Sequence, residues 1–120
     1  MTVQECYLAM QEDYDTVLKR MLNDDRVKKF LFMFLKDETF NNLCTALENK
    51  NYEDAFREAH TLKGLSQNMA FTDFFVPVDK LTEFLRHGEY SDEAKEQFEL
   101  VKAKYKVIRN AIEELQNANE

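Results

Sequence analysis

The sequence predicts an all-α fold, a bundle of antiparallel amphipathic helices. Three observations carry that reading. The 120 residues include only two glycines and one proline, and sandwiches and barrels need many turns built from those residues. Apolar residues recur at alternating spacings of three and four along almost the whole chain, which is the helical period. The polar breaks between these stretches are short, so neighbouring helices should run antiparallel. The length fits one domain, and we take residues 1–120 as that domain with a bundle core at about 24–116.

The elements follow in order. Val3, Tyr7, Met10, Tyr14, Val17 and Met21 form the first stripe, with Asp13 and Asp15 marking a break inside it. Asn23 or Asp24 can cap the next helix, whose apolar set is Val27, Phe30, Leu31, Phe34 and Leu35. Phe32 and Met33 widen that stripe, so burial on more than one side is expected. Asp37-Glu38-Thr39 offers the next start, followed by Phe40, Leu43, Cys44 and Leu47. After the polar break Asn49-Lys50-Asn51, Asn51 can cap a helix carrying Tyr52, Phe56, Ala59, Leu62, Ser66 and Met69. Another helix begins near Thr72 or Asp73 and runs to Arg86-His87, with Gly88 after the cationic last turn, the usual asymmetry of a C-terminus. Pro77 should kink this helix or delay its start. Ser91, Asp92 and Glu93 open the last helix. Its stripe is Ala94, Phe98, Val101, Tyr105, Ile108, Ile112 and Leu115, a spacing suited to packing at about 20°. Asn117 to Glu120 are expected to fray.

Charge and composition exclude several roles. A net charge of -7 opposes general nucleic-acid binding, which depends on neutralising phosphates. Gly64 and Gly88 are too far apart for a glycine-rich phosphate loop. The longest apolar run, Phe30 to Leu35, has six residues, whereas a membrane span takes about 20. Glu5, Glu12, Asp13 and Asp15 interrupt any secretory signal. A cytoplasmic location is expected, with Cys6 and Cys44 as small core residues.

The stretch from Glu58 to Asn68 holds the chemistry. His60 lies one residue off the apolar stripe, so it should sit at the stripe's edge, partly exposed. Arg57, Gly64, Gln67 and Phe71 fall on its face, and Lys63 reaches the same space from one side. Gly64 is anomalous, because a mid-helix glycine costs roughly 1 kcal/mol relative to alanine. Clearance for something approaching the imidazole explains it. A neutral imidazole offers a lone pair at pH 7 and can attack phosphorus. Lys63 can neutralise charge on a transferring group, and Gln67 can donate a hydrogen bond.

His60-Thr61-Leu62-Lys63-Gly64, followed by Asn68, resembles the His-x-x-Lys-Gly signature of histidine-containing phosphotransfer (HPt) domains. The order of helices resembles that family over roughly Asp24 to Leu115. The resemblance implies an antiparallel four-helix bundle with an extra N-terminal helix. It implies a phosphocarrier of bacterial-type two-component phosphorelays, with His60 as phosphoacceptor, Lys63 steadying the phosphoryl group and Gly64 leaving room for the partner. Gln67 would orient the imidazole or the phosphate. The implied partners are response-regulator receiver domains and a hybrid sensor histidine kinase. No cofactor of its own is implied; Mg²⁺ would belong to the receiver. The chain lacks any segment for binding ATP, so a carrier is expected, not a kinase. Leu65 stands where the family often has a small residue, Ala70 where it often has glycine, and Pro77 is unusual in the following helix.

Ordinary readings compete at each position. Arg57 reads as solvated charge, and His87 as a cation suiting a helix C-terminus. Phe71, Phe74 and Phe75 crowd one helix end. At least one should be exposed near His60 and serve docking, so that Phe71→Ala slows transfer without unfolding. A helical interaction module that is never phosphorylated is the alternative function. A di-iron bundle needs paired Glu-x-x-His motifs, but Arg57 precedes His60 and Phe84 precedes His87 at that spacing. The starting methionine and the full set of helices suggest a free-standing protein, and stripes that can bury internally suggest a monomer.

Overall fold

The computed structural model describes residues 1–118. Seven helices occupy them: α1 (Val3–Met10), α2 (Tyr14–Met21), α3 (Asp24–Lys36), α4 (Thr39–Glu48), α5 (Tyr52–Asn68), α6 (Thr72–Arg86) and α7 (Asp92–Ala118). No strand is present among the described residues. Asn117 and Ala118 continue α7, and the rest of the expected frayed end, Asn119 and Glu120, lies outside the described residues.

Local caps set most boundaries. The side chains of Asp13, Asn23, Asn51 and Ser91 accept from the backbone N–H groups of Thr16, Arg26, Asp54 and Ala94, filling donors that a helix start leaves unpaired. Asp13 is thus the break between α1 and α2. The three connections α4–α5, α5–α6 and α6–α7 begin with one device. Lys50, Ala70 and Gly88 adopt left-handed backbone, with φ of 56°, 56° and 72°. The N–H groups of Asn51, Phe71 and Glu89 then reach back to the carbonyls of Ala46, Ser66 and Phe84. This is the Schellman arrangement, which turns the chain sharply and pairs orphan carbonyls.

The tight turns between packed neighbours make α4 to α7 antiparallel. Helix α5 packs between α4 and α6, and α6 against α7. Aromatic side chains close the bundle between α4 and α7, where Phe40 stacks on Tyr105 with centroids 3.9 Å apart. The N-terminal addition comes in three pieces, with α1 and α3 both lying on α7. Val27, Leu31 and Phe34 are buried on α3, but Phe30 and Met33 are exposed. Helix α3 is therefore covered on one main face, not on several, because no element packs over its Phe30 edge. Pro77 does not delay α6, which begins at Thr72 and runs unbroken through the buried proline. As the sixth residue of α6 it lies past the first turn, so the helix continues without the bond a Pro77 N–H would have given to the Asp73 carbonyl. Cys6 is fully buried and Cys44 half-buried.

Phe71 corrects the docking expectation. Its ring is fully buried, 5.9 Å from Tyr7 on α1, 5.5 Å from Phe34 on α3 and 6.5 Å from Phe74 on α6. Phe74 is fully buried as well, and Phe75 is half-buried. The turn after α5 aims Phe71 inward, something helical phase could not foretell because the helix has already ended. Phe71→Ala should therefore destabilise the protein by about 3–5 kcal/mol, the cost of emptying a buried phenylalanine site. Chemical denaturation would check this, and a loss below about 1 kcal/mol would contradict the assignment.

Candidate functional site

Helix α5 carries the site because its two faces differ. Ala55, Ala59, Leu62 and Ser66 are buried against α4 and α6. Ser66 satisfies its hydroxyl locally by donating to the Leu62 carbonyl at 2.8 Å, so this small polar residue fits an apolar stripe. The opposite face holds His60, which is exposed, where a place at the stripe's edge suggested only partial exposure. The imidazole lies 5.9 Å from the Phe56 ring one turn earlier. The Arg86 guanidinium covers Phe56, 5.0 Å from its centroid. An apolar ring thus supports the imidazole from the side of α6.

Gly64 follows His60 by one turn. A Cβ built there would meet nothing within 4 Å. Tight helix packing is therefore not the reason for this glycine, and its backbone, unlike that of Gly88, needs no positive φ. The space beside the imidazole is open on the solvent side.

Lys63 is placed differently from the simplest sequence expectation. Its Nζ lies 2.9 Å from Oδ1 of Asp79 on α6 and 5.9 Å from the centroid of Phe75. The ammonium is thus engaged by the neighbouring helix α6. Asp79 escaped the sequence reading; only its place one turn after Phe75 hints at a shared face. Gln67 and Asn68 are exposed at the end of α5. The backbone carbonyl of Gln67 accepts from the Arg20 guanidinium of α2, which ties this end of the helix to the N-terminal segment. Arg57 pairs with Glu53 and Asp54 on its own helix, and hydrogen bonding to Asp54 raises its already high pKa. It behaves as solvated surface charge. His87 is the C-cap of α6.

The apolar surface beside the site is not where the phenylalanine run pointed. A groove of about 550 Å³ runs between α2–α3 and the end of α5. Phe30, 40% exposed, and Met33, 54% exposed, face it from α3. Leu65 and Asn68, one and four residues past Gly64, line it from α5. Arg20 and Arg26 stand at its edge. The unusual width of the α3 stripe was the available signal. It reads as extra core until the missing neighbour is seen.

Among the described residues no helix is long and apolar enough to cross a membrane. No curated protein and no solved structure matches the chain. Residues 31–118 match the family model of the Hpt domain. That span takes in the four bundle helices, the second half of α3 from Leu31 and the whole His60 face. An all-helical bundle with a solvent-facing histidine, matched over most of its length, places this chain in the Hpt domain family of histidine phosphotransfer modules.

Proposed function

We propose that the protein is a histidine phosphocarrier that relays a phosphoryl group between aspartates of receiver domains through His60. One observation carries the reading. An exposed imidazole stands one turn from a mid-helix glycine whose missing side chain would touch nothing in this protein. A helix keeps such a costly residue without internal cause when an approaching body needs the space.

In the transfer, a ring nitrogen of His60 uses its lone pair to attack the phosphorus of an aspartyl phosphate. A P–N bond forms, the P–O bond to the aspartate breaks, and the carboxylate leaves with the bonding electrons. The proton on the other ring nitrogen passes to solvent, and the return step reverses these changes. This chain supplies a positioned nucleophile and nearby positive charge, which suffices where geometry and electrostatics dominate. Lys63 neutralises the transferred group, Gly64 admits the receiver, and Gln67 donates to the imidazole or the phosphoryl oxygens. Mg²⁺ belongs to the receiver, and a hybrid sensor kinase supplies the phosphoryl group upstream. The groove bordered by Phe30, Met33 and Leu65 takes in the residue that follows Gly64 and offers the apolar contact that docking needs.

The test uses a panel of phosphorylated receiver domains with the wild type and His60→Gln. Acid-labile, base-stable label on the wild type alone is expected. Label on both proteins would move the site, and no label from any receiver would favour the unphosphorylated interaction module. Met33→Glu should slow transfer from receivers but leave labelling by the small donor phosphoramidate unchanged; equal rates from receivers would remove the groove from the docking surface.

Gly64 separates stability from function. Gly64→Ala should stabilise the fold by about 0.5–1 kcal/mol in denaturation, since helix propensity rises and no clash results. Gly64→Gln should slow receiver transfer while leaving the protein folded. A Gly64→Gln variant that transfers at the wild-type rate would disprove the clearance role.

A further inference from the structure

The Lys63 ammonium rests in a cradle made by two residues of α6. Phe75 and Asp79 are one turn apart and share a face. Nζ sits 2.9 Å from the Asp79 carboxylate and 5.9 Å from the Phe75 centroid. The paired side chains are 24% and 37% exposed. Such a pair lies between the screened surface regime and the buried one. It is also the ion pair that links the histidine helix to its neighbour.

We propose that Asp79 is a positioning residue that acts through Lys63 and lowers the stability of the phosphorylated state. This rests on the reading of His60 as phosphoacceptor. A phosphoryl group on His60 brings almost two negative charges to a point one turn from Lys63. Lysine carries its charge on a flexible stem and can turn toward that group. In doing so it abandons a half-covered carboxylate, and that loss offsets part of what the ammonium gives to the phosphoryl group. The remaining carboxylate also repels the phosphoryl charge. Both effects have the same sign. Asp79 keeps the phosphohistidine from becoming a sink, which favours passing the group onward. No bond other than those of the transfer itself is made or broken.

The experiment compares wild type, Asp79→Asn, Asp79→Ser, Asp79→Glu, Lys63→Gln and the double variant K63Q/D79N. Each is phosphorylated with phosphoramidate and equilibrated with one receiver domain, and the label on each partner is measured. The position of equilibrium depends on the free species, so a change in docking rate does not move it. Asp79→Asn and Asp79→Ser should shift the balance toward phosphohistidine by about threefold, the scale of a partly exposed ion pair. Asp79→Glu should restore the wild-type balance. The shift should shrink in the Lys63→Gln background to what direct repulsion leaves, the signature of an effect that passes mainly through Lys63. An unchanged balance in both Asn and Ser variants overturns the proposal, and so does a shift that persists undiminished without Lys63. A wild type that takes no label from phosphoramidate or receivers overturns the carrier reading and this inference with it, and is distinguished by failing before any variant is compared.

Discussion

The connection between α5 and α6 holds the molecule together, because elements far apart in sequence all fasten to it. Phe71 cannot cap a helix with its side chain, and α6 has no local side-chain cap. The Glu12 carboxylate fills the role from across the chain, accepting from the N–H groups of Asp73 and Phe74 at 2.8 and 2.9 Å. Burial raises the Glu12 pKa, against the pull of those two donors. The Tyr7 hydroxyl donates to the Met69 carbonyl at 2.8 Å, and the Asp13 N–H donates to the Ala70 carbonyl at 3.3 Å. With Phe71 anchored in the core, the turn is fixed by backbone pairing above and aromatic packing below.

This constraint reaches the site. The orientation of α5 decides where His60 points, and its C-terminal end is tied to α1 and α2 through Met69, Ala70 and Gln67. The fastening residues Tyr7, Glu12, Asp13 and Arg20 all precede residue 31, where the family match begins. The matched part supplies the bundle and the His60 face. The segment before it supplies the brace, and together with α3 it forms one wall of the apolar groove beside Gly64.

The two glycines show how differently one residue type can be used. Gly88 stands at a positive φ that its Schellman turn requires. Gly64 has ordinary helical backbone and open space around it. Lys50 and Ala70 make the same turn as Gly88 without the conformational freedom of glycine, at the steric cost that a Cβ adds in the left-handed region. A glycine was therefore not kept for each turn, and the one in mid-helix is the more informative for that reason.

By itself the sequence determined whatever is local and periodic. The spacing of apolar residues fixed the helices, short polar side chains such as Asn23, Asn51 and Ser91 fixed their starts, and one helical phase put His60, Gly64 and Gln67 together. Periodicity says which residues share a face; it does not say what lies opposite. Tertiary structure alone decided that Phe71 turns inward, that Phe30 and Met33 stay uncovered, that Glu12 caps a helix some sixty residues away, and that Lys63 answers to Asp79. Each depends on where a second helix comes to rest. That position is set by the packing of the whole core, which no stretch of the chain encodes alone.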